Sequence, residues 1–464
     1  MAPIAPTNRH PSDPGVFLSD SLNAASREPS PLVIVSTTGT GGDIQPFIAM
    51  ALGLHERGRR VVMLLPKFHE DAAKVAGVPY ETFGTHEEFQ AALSNPALWD
   101  ERKGWGVIWN GAIPHLNVLH DMIQRLSTHE PCVVLSHPLL IPIAALARSI
   151  RPDLHIVAAY LAPSNLCSSY DLLTAGSQRI PPWIPFSWRQ SLWRLIHQVW
   201  IDPTTLPSLN AARALHKLPR VPHFFEHLLK APNASIGLFP EWYASVQADW
   251  PRPFLAGNFP SSPMRSAATA ALSPELERFL SDGDSPIVFT PGTGHQHAAS
   301  YFSTAQEALK RLRRRGLFIT SHAAQVPHPL PPNILWQAHV PFAMLLPRVA
   351  AVVHHGGIGT TAEAFRAGVP QLVVPFAYDQ FDNALRAKRM GVADVLLAKR
   401  LSARRMHRQL VQLLSSPKIS RACSIVAEAM RQDSDMPWLL ERVETALGLG
   451  LDQGLTKADF PDEL

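Results

Sequence analysis

The sequence predicts an α/β protein built from two doubly wound, Rossmann-like domains that face a central cleft, and three observations carry that expectation. Apolar runs rich in β-branched residues recur between helical patterns: LVIVST (32–37), VVMLL (61–65), CVVLS (132–136), HIVAAYLA (155–162) and SIGLF (235–239). None alternates polar with apolar, so each reads as a strand buried on both faces in a parallel sheet covered by helices. The pattern falters in GNFPSSPMRSAATAALSP and restarts at PIVFT (286–290), which divides the chain into two such units. Its 464 residues also exceed what one core covers, since domains run to ~100–200 residues.

Taken in order, residues 1–30 are rich in Pro, Ser and Asn and are expected to be a disordered leader. Residues 31–257 are expected to form the N-terminal domain, with a helix at about 45–57 closed by Gly58. Residues 258–285 are expected to be a linker. Residues 286–434 form the second domain, through the strands GLFIT (316–320), NILWQ (333–337), AAVVHH (350–355), QLVVPF (371–376) and ADVLL (393–397). Residues 435–464 are expected to supply a helix, DMPWLLERVETALG, that returns to the first domain, followed by a tail.

Composition narrows the function classes. Apolar residues make up 46% and charged residues 17%, with a net charge of +4 and no long Lys/Arg run, so no nucleic-acid partner is expected. The three cysteines, Cys132, Cys167 and Cys423, are scattered and odd in number, which argues against a disulfide framework or a CxxC metal site. There is no signal-like apolar region at the start and no run of ~18 apolar residues, so the expected location is cytoplasmic.

The chemistry is concentrated in loops that follow strands. STTGTGGDIQPF (36–47) lacks GxxxxGK[ST] and the third Rossmann glycine, because Ile44 stands after Asp43. Its glycines 39, 41 and 42 let a ligand approach backbone, and Asp43, just before a helix, is an N-cap, a carboxylate that accepts a proton at the cleft, or both at once. In VVHHGGIGTTAEAFRAGVPQLVVPFAYDQFDNA (352–384) a strand ends at His354–His355, glycines turn the chain, and a helix begins near Ile358 and stops at Gly368. A helix N-terminus offers free N–H groups and partial positive charge, which suits a diphosphate. His355, Gly357, Gly359 and Thr360 stand at that terminus. Glu363, one turn in, suits ribose hydroxyls, and Asp379 with Gln380 suits a sugar. FTPGTGH (289–295) places Thr293 in another glycine turn that can add backbone N–H groups. Asp282-Gly283-Asp284 precedes a strand and reads as a turn, not a metal-binding DxD.

HHGGIGTTAE followed by GVPQLVVPFAYDQFDNA resembles the donor-binding signature of the family 1 glycosyltransferases of GT-B fold, over about 50 residues from Val340 to Asn383. STTGTGGDIQPF resembles the bacterial and sterol branch, which has an Asp where plant members have the catalytic His. NPALWDERKGWGVIW, LFPEWYASVQADWPRP and VFTPGTGH are similar to the rhamnosyltransferases of rhamnolipid biosynthesis. The resemblance implies inverting transfer from a nucleotide-diphosphate sugar (dTDP- or UDP-), with neither metal nor cofactor. Asp43 is then the general base, His355, Gly357, Gly359, Thr360 and Thr293 hold the diphosphate, and Glu363, Asp379 and Gln380 hold ribose and sugar. The sugar implied is L-rhamnose from dTDP-rhamnose and the acceptor a lipidic 3-hydroxyacyl compound; the alternative is a UDP-sugar glucosyltransferase acting on a sterol, terpenoid or other hydrophobic molecule. No place for a plant-like histidine relay follows from the sequence.

The acceptor side is less defined. Gly42, Trp105, Trp109 and Trp193 are candidate pocket residues. WIPFSWRQSLWRLIHQVWID (183–202) sets Trp193, His197 and Trp200 on one helical face, which either packs on its own domain or forms an amphipathic lid or membrane-surface element that admits a lipidic acceptor, in peripheral contact with the inner membrane. Two other classes fit the same architecture. A nucleotide-sugar epimerase would turn over donor alone, and a non-catalytic binding module would be indifferent to Asp43→Asn.

Overall fold

The computed structural model describes residues 30–126, 130–261, 272–433 and 436–449. The expected leader, apart from Ser30, and the tail after residue 449 lie outside the described residues. Among these residues two parallel sheets form, with a short antiparallel ribbon at Thr174–Arg179.

The first sheet contains β1 (Leu32–Ser36), β2 (Val61–Pro66), β3 (Tyr80–Phe83), β4 (Cys132–Ser136), β5 (His155–Tyr160), β6 (Ala234–Gly237) and β7 (Phe254–Ala256). Its order is β3-β2-β1-β4-β5-β6-β7. The second contains β8 (Ile287–Thr290), β9 (Gly316–Ile319), β10 (Ile334–Gln337), β11 (Ala351–His354), β12 (Gln371–Val373) and β13 (Ala393–Val395), in the order β10-β9-β8-β11-β12-β13. Both orders reverse direction beside their first strand, which opens a crevice at the strands' carboxyl ends. The apolar runs explain the parallel pairing: Val33, Ile34 and Val35 of β1 and Val352 and Val353 of β11 are all fully buried.

The helices that position the site are α1 (Gly41–Glu56), α2 (Phe186–Ile196), α3 (Ile358–Ala367), α4 (Gln380–Arg389), α5 (Pro417–Asp433) and α6 (Met436–Ala446). α1 starts four residues earlier than its hydrophobic pattern suggests, because Thr40 and Asp43 cap it. α3 ends as expected at Gly368, which adopts a left-handed φ of 65°.

Two segments depart from expectation. Residues 274–281, inside the stretch read as linker, are the helix Pro274–Ser281, N-capped by Ser273; Leu276 and Leu280 pack with Val288 and Val352 in the second domain's core. A proline at N1 and two leucines four apart are the helix signals, and the Pro/Ser-rich flank masks them. In 183–202 the α-helix gives way to a π-helical turn at His197–Ile201. The wider turn rotates Trp200 off the expected stripe: Trp193 stacks on His197 at 5.5 Å and His197 on Phe225 at 4.5 Å, while Trp200 is exposed beneath Arg102.

α6 packs on the first domain. A Cβ on Gly53 of α1 would lie 2.5 Å from Leu440 Cδ1, so glycine is what admits this close crossing. Glu444 of α6 pairs with Arg57 at 2.8 Å and Arg59 at 2.6 Å, and His155 Nε2 donates to the Ala446 carbonyl at 2.7 Å.

Candidate active site

A cavity of about 960 Å³ lies between the carboxyl ends of the two sheets and takes its walls from both domains. Every site residue expected from the sequence lines it: Asp43, Gly42, Trp105, Trp109 and Trp193 on one side, and Thr293, His355, Gly357, Gly359, Thr360, Glu363, Asp379 and Gln380 on the other. What each residue contributes differs from its sequence reading in several cases.

Asp43 is not the N-cap. Thr40 is, and Asp43, in the first turn, returns its carboxylate: Oδ2 accepts from the Thr40 N–H at 2.8 Å and from the Thr40 hydroxyl at 3.2 Å. Gly39, at φ 109°, makes room for it, since a Cβ there would sit 2.4 Å from Oδ2. Oδ1 stays outside the cap and faces His137 Nε2 at 3.8 Å. His137 follows β4 directly and is buried; its Nδ1 accepts the Leu139 N–H at 3.3 Å, so the neutral ring carries its proton on Nε2, toward Asp43. His69 donates from Nε2 to the Gly39 carbonyl at 2.9 Å, bracing the loop, and burial lowers its pKa. The sequence reading missed His137 and His69. A His-Pro pair at the carboxyl end of a buried strand was the available signal for the first.

Across the cleft the two histidines of the second loop divide their labour. His354 is fully buried: Nε2 donates to Gln371 Oε1 at 2.9 Å and Nδ1 accepts the Gly356 N–H at 3.1 Å. Burial lowers its pKa to about 4, so it serves as a neutral brace. His355 faces the cavity between two glycine loops. A Cβ on Gly292 would lie 2.6 Å from its ring, and one on Gly357 2.4 Å from Nε2. Its Nδ1 is buried with no partner among the described residues, and burial, with His354 and His295 nearby, lowers its pKa to about 3. Beside it α3 opens at Gly357, and the first N–H groups of a helix have no partner within it. A neutral imidazole with these amides is a ready anion cradle.

The residues expected to hold ribose and sugar are partly committed to the protein. Glu363 Oε1 pairs with Arg366 at 2.7 Å, which leaves its other oxygen for a ligand. Gln380 Oε1 accepts the Phe376 N–H at 2.8 Å and the Ala377 N–H at 3.1 Å, so only its Nε2 side can address a sugar. Asp379 Oδ2 accepts from Asn383 at 2.8 Å. Loss of hydration, then the charges of Asp43 and Asp382, push the Asp379 carboxyl up to about 7. Trp109 is core more than pocket: it is 2% exposed, donates to Ser208 and packs on Phe224.

The cleft is closed. A Cβ on Gly41 would be 3.3 Å from Thr293 Oγ1, and one on Gly294 2.8 Å from Thr40 Cγ2, so the two glycine turns touch. Tyr378 donates to the Leu98 carbonyl, Tyr243 to Asn383 at 2.9 Å, and Arg386 of α4 joins Asp171 of the first domain at 2.5 Å while holding Asp382 at 2.6 Å.

Comparison with known proteins agrees with this architecture. Residues 33–110 match the glycosyltransferase family 28 N-terminal domain, and residues 317–438 the erythromycin biosynthesis protein CIII-like C-terminal domain. The O-mycaminosyltylonolide 6-deoxyallosyltransferase of Streptomyces fradiae is 29% identical over 81% of this chain and 87% of its own. The sterol 3-beta-glucosyltransferase of Candida albicans is 23% identical over 89% of this chain but only 28% of its own length. Among solved structures, the glycotransferase of kitacinnamycin superposes with a TM-score of 0.68 at 19% identity, covering 90% of this chain and 100% of the other. The chain is a glycosyltransferase with the GT-B fold, and its two halves are similar to the family 28 N-terminal and CIII-like C-terminal domains. Among the described residues no helix is long and apolar enough to cross a membrane.

Proposed function

We propose that the enzyme transfers a 6-deoxyhexose, L-rhamnose in the first instance, from its dTDP carrier onto the hydroxyl of a hydrophobic acceptor of the 3-hydroxyacyl-lipid class. The supporting observation is the cavity itself: a carboxylate and an anion cradle face each other across it, and its first-domain end is walled by side chains such as Leu140, Ile143, Leu173 and Ile196. A pocket of that composition suits an alkyl chain better than a polar sugar acceptor. The name of the Streptomyces relative, a 6-deoxyallosyltransferase, supports a 6-deoxyhexose donor.

The reaction is a single displacement that needs no metal. The acceptor O–H gives its proton to Asp43 Oδ1 while its oxygen forms the new bond to the anomeric carbon. The bond from that carbon to the diphosphate oxygen breaks, and the electron pair leaves with the diphosphate. His137 Nε2 faces Asp43 Oδ1 at 3.8 Å, and a positioned base of this kind contributes roughly 10²–10⁴-fold. The N-terminal amides of α3 and the neutral His355 receive the departing charge. Asp379 and the Gln380 amide hold the sugar and Glu363 the ribose.

A second reading, transfer of glucose from a UDP carrier to a sterol or terpenoid, draws on the Candida relative and on the same apolar walls. The test is a panel of dTDP-rhamnose, dTDP-glucose and UDP-glucose against 3-hydroxyacyl lipids and sterols, read by mass spectrometry. Rhamnolipid-type product is the expected outcome; a glucosylated sterol as the sole product selects the second reading, and no glycolipid from any pair removes both. Donor consumed without acceptor would indicate an epimerase instead.

A further inference from the structure

α2 is apolar on two sides, and the transfer reaction uses only one of them. Trp193, Ile196, His197 and Ile201 line the cavity. On the opposite side Trp188 and Leu195, seven residues apart on one stripe of α2, stand 68% and 57% exposed, and Val199 of the π-turn that follows is 55% exposed. Trp183, just before the helix, is 77% exposed. The charges within this segment have one sign. Between Leu172 and Ile201 the sequence holds Arg179, Arg189 and Arg194 and no Asp or Glu. Arg102 lies over the exposed Trp200 ring, 5.6 Å from its centroid. Glu101, the adjoining carboxylate, accepts the Ser177 N–H at 2.9 Å, which ties it to the ribbon.

We propose that α2 with the Trp183 segment is a docking surface for an anionic lipid bilayer, lying flat in the headgroup layer so that the apolar end of the cavity opens toward the membrane. Indole rings suit this depth because they are apolar with one polar edge. Arg179 and Arg194, in no ion pair among the described residues, suit anionic headgroups, whereas Arg189 donates to the Pro182, Ile184 and Tyr170 carbonyls. A helix whose outer stripe meets lipid and whose inner stripe walls a cavity also shortens the route of a lipidic acceptor, since it need not cross water. That route rests on the acceptor class proposed above, whereas the docking does not.

The experiment separates the two. The full-length enzyme is sedimented with vesicles of phosphatidylcholine alone or mixed with phosphatidylglycerol, and compared with a Trp183→Ser/Trp188→Ser/Leu195→Ser variant. Binding to the anionic vesicles should exceed binding to neutral ones by at least about tenfold, weaken with salt, and fall about tenfold in the variant. The substituted side chains face solvent and lie outside the cavity, so turnover of a short-chain soluble acceptor should be unchanged in the variant. Failure to bind anionic vesicles, or equal binding by the variant, overturns the proposal. So does a salt-stable dimer that the variant abolishes, because the surface would then be covered by a second copy of the chain. If vesicle binding holds while no lipid is glycosylated, the acceptor reading fails and the docking stands.

Discussion

Asparagine at position 43 separates two roles that one carboxylate holds. An amide oxygen can still accept the Thr40 N–H that Oδ2 accepts at 2.8 Å, so the cap survives and the stability loss should stay near or below ~1 kcal/mol. The amide cannot take the acceptor's proton, so kcat should fall roughly 10²–10⁴-fold with the donor KM within about twofold. Steady-state kinetics beside thermal unfolding reads both; unchanged kcat would exclude Asp43 as the base. Asp379 gives a second residue-scale prediction, in pH. Its folded pKa, about 7, stands above the ordinary aspartate value of ~3.9, so the folded state holds a proton the unfolded state has released. Its contribution to stability is therefore complete below about pH 4, declines as pH rises toward 7, and is flat above. Asp379→Asn removes that decline. Its stability relative to wild type should grow between pH 4 and 7, by at most ~1.4 kcal/mol per pH unit, and then level off. Denaturant titrations across that range measure it, and a constant difference would contradict the buried, charge-crowded setting of the carboxyl. Asp43 and Asp379 were both visible in the sequence because each sits where a strand hands over to a helix. Their environments were not, because His137 is brought to Asp43, and the charge of Asp43 to Asp379, only by the fold.

At the scale of the element, the donor cradle depends on how closely two glycine turns flank the His355 ring. Gly357 has φ −61°, which alanine also adopts, so Gly357→Ala tests contact rather than backbone strain. The added Cβ would fall 2.4 Å from His355 Nε2 and must displace the ring, costing about 1–3 kcal/mol in stability and weakening nucleoside-diphosphate binding about tenfold. Gly359→Ala is the matched control: its Cβ would meet nothing within 4 Å, the N–H is kept, and helix propensity improves by up to ~1 kcal/mol. Calorimetry with dTDP or UDP on both variants should split them; equal behaviour would mean that the ring does not contribute to the cradle. The strand–loop–helix unit around α3 could be read directly, down to the stop at Gly368, because a buried run, a glycine turn and a helical period follow one another without interruption. The helix Pro274–Ser281 and the π-turn at His197–Ile201 could not. The first is short and flanked by loop-like composition, and the second is a change of helical period that side-chain patterning at 3.6 residues per turn does not report.

The whole molecule is two sheets held with their polar ends together, and Arg386 is the buried cation that spans them. It pairs within its own domain with Asp382 and across the cleft with Asp171, and all three side chains are at least four-fifths buried. Removing Arg386 would leave two carboxylates facing each other out of water, a loss of about 3–5 kcal/mol that would confuse closure with folding. Asp171→Asn is the better probe. The asparagine oxygen still accepts a hydrogen bond, Asp382 still pairs with Arg386, and only the charge that draws the first domain onto the second is lost. The donor cradle lies almost wholly on the second domain, at His355 and the start of α3, so dTDP or UDP affinity should stay within about twofold. With Asp43 as the proposed base, turnover should fall about tenfold, because an open cleft would hold it away from the donor. Solution scattering should show a larger radius of gyration for the variant without ligand and a return toward the wild-type value with donor and acceptor together. Wild-type turnover with an opened envelope would mean that closure does not limit the reaction. A parallel loss of nucleotide affinity and turnover would mean that Asp171 serves the donor directly and not the approach of the two domains.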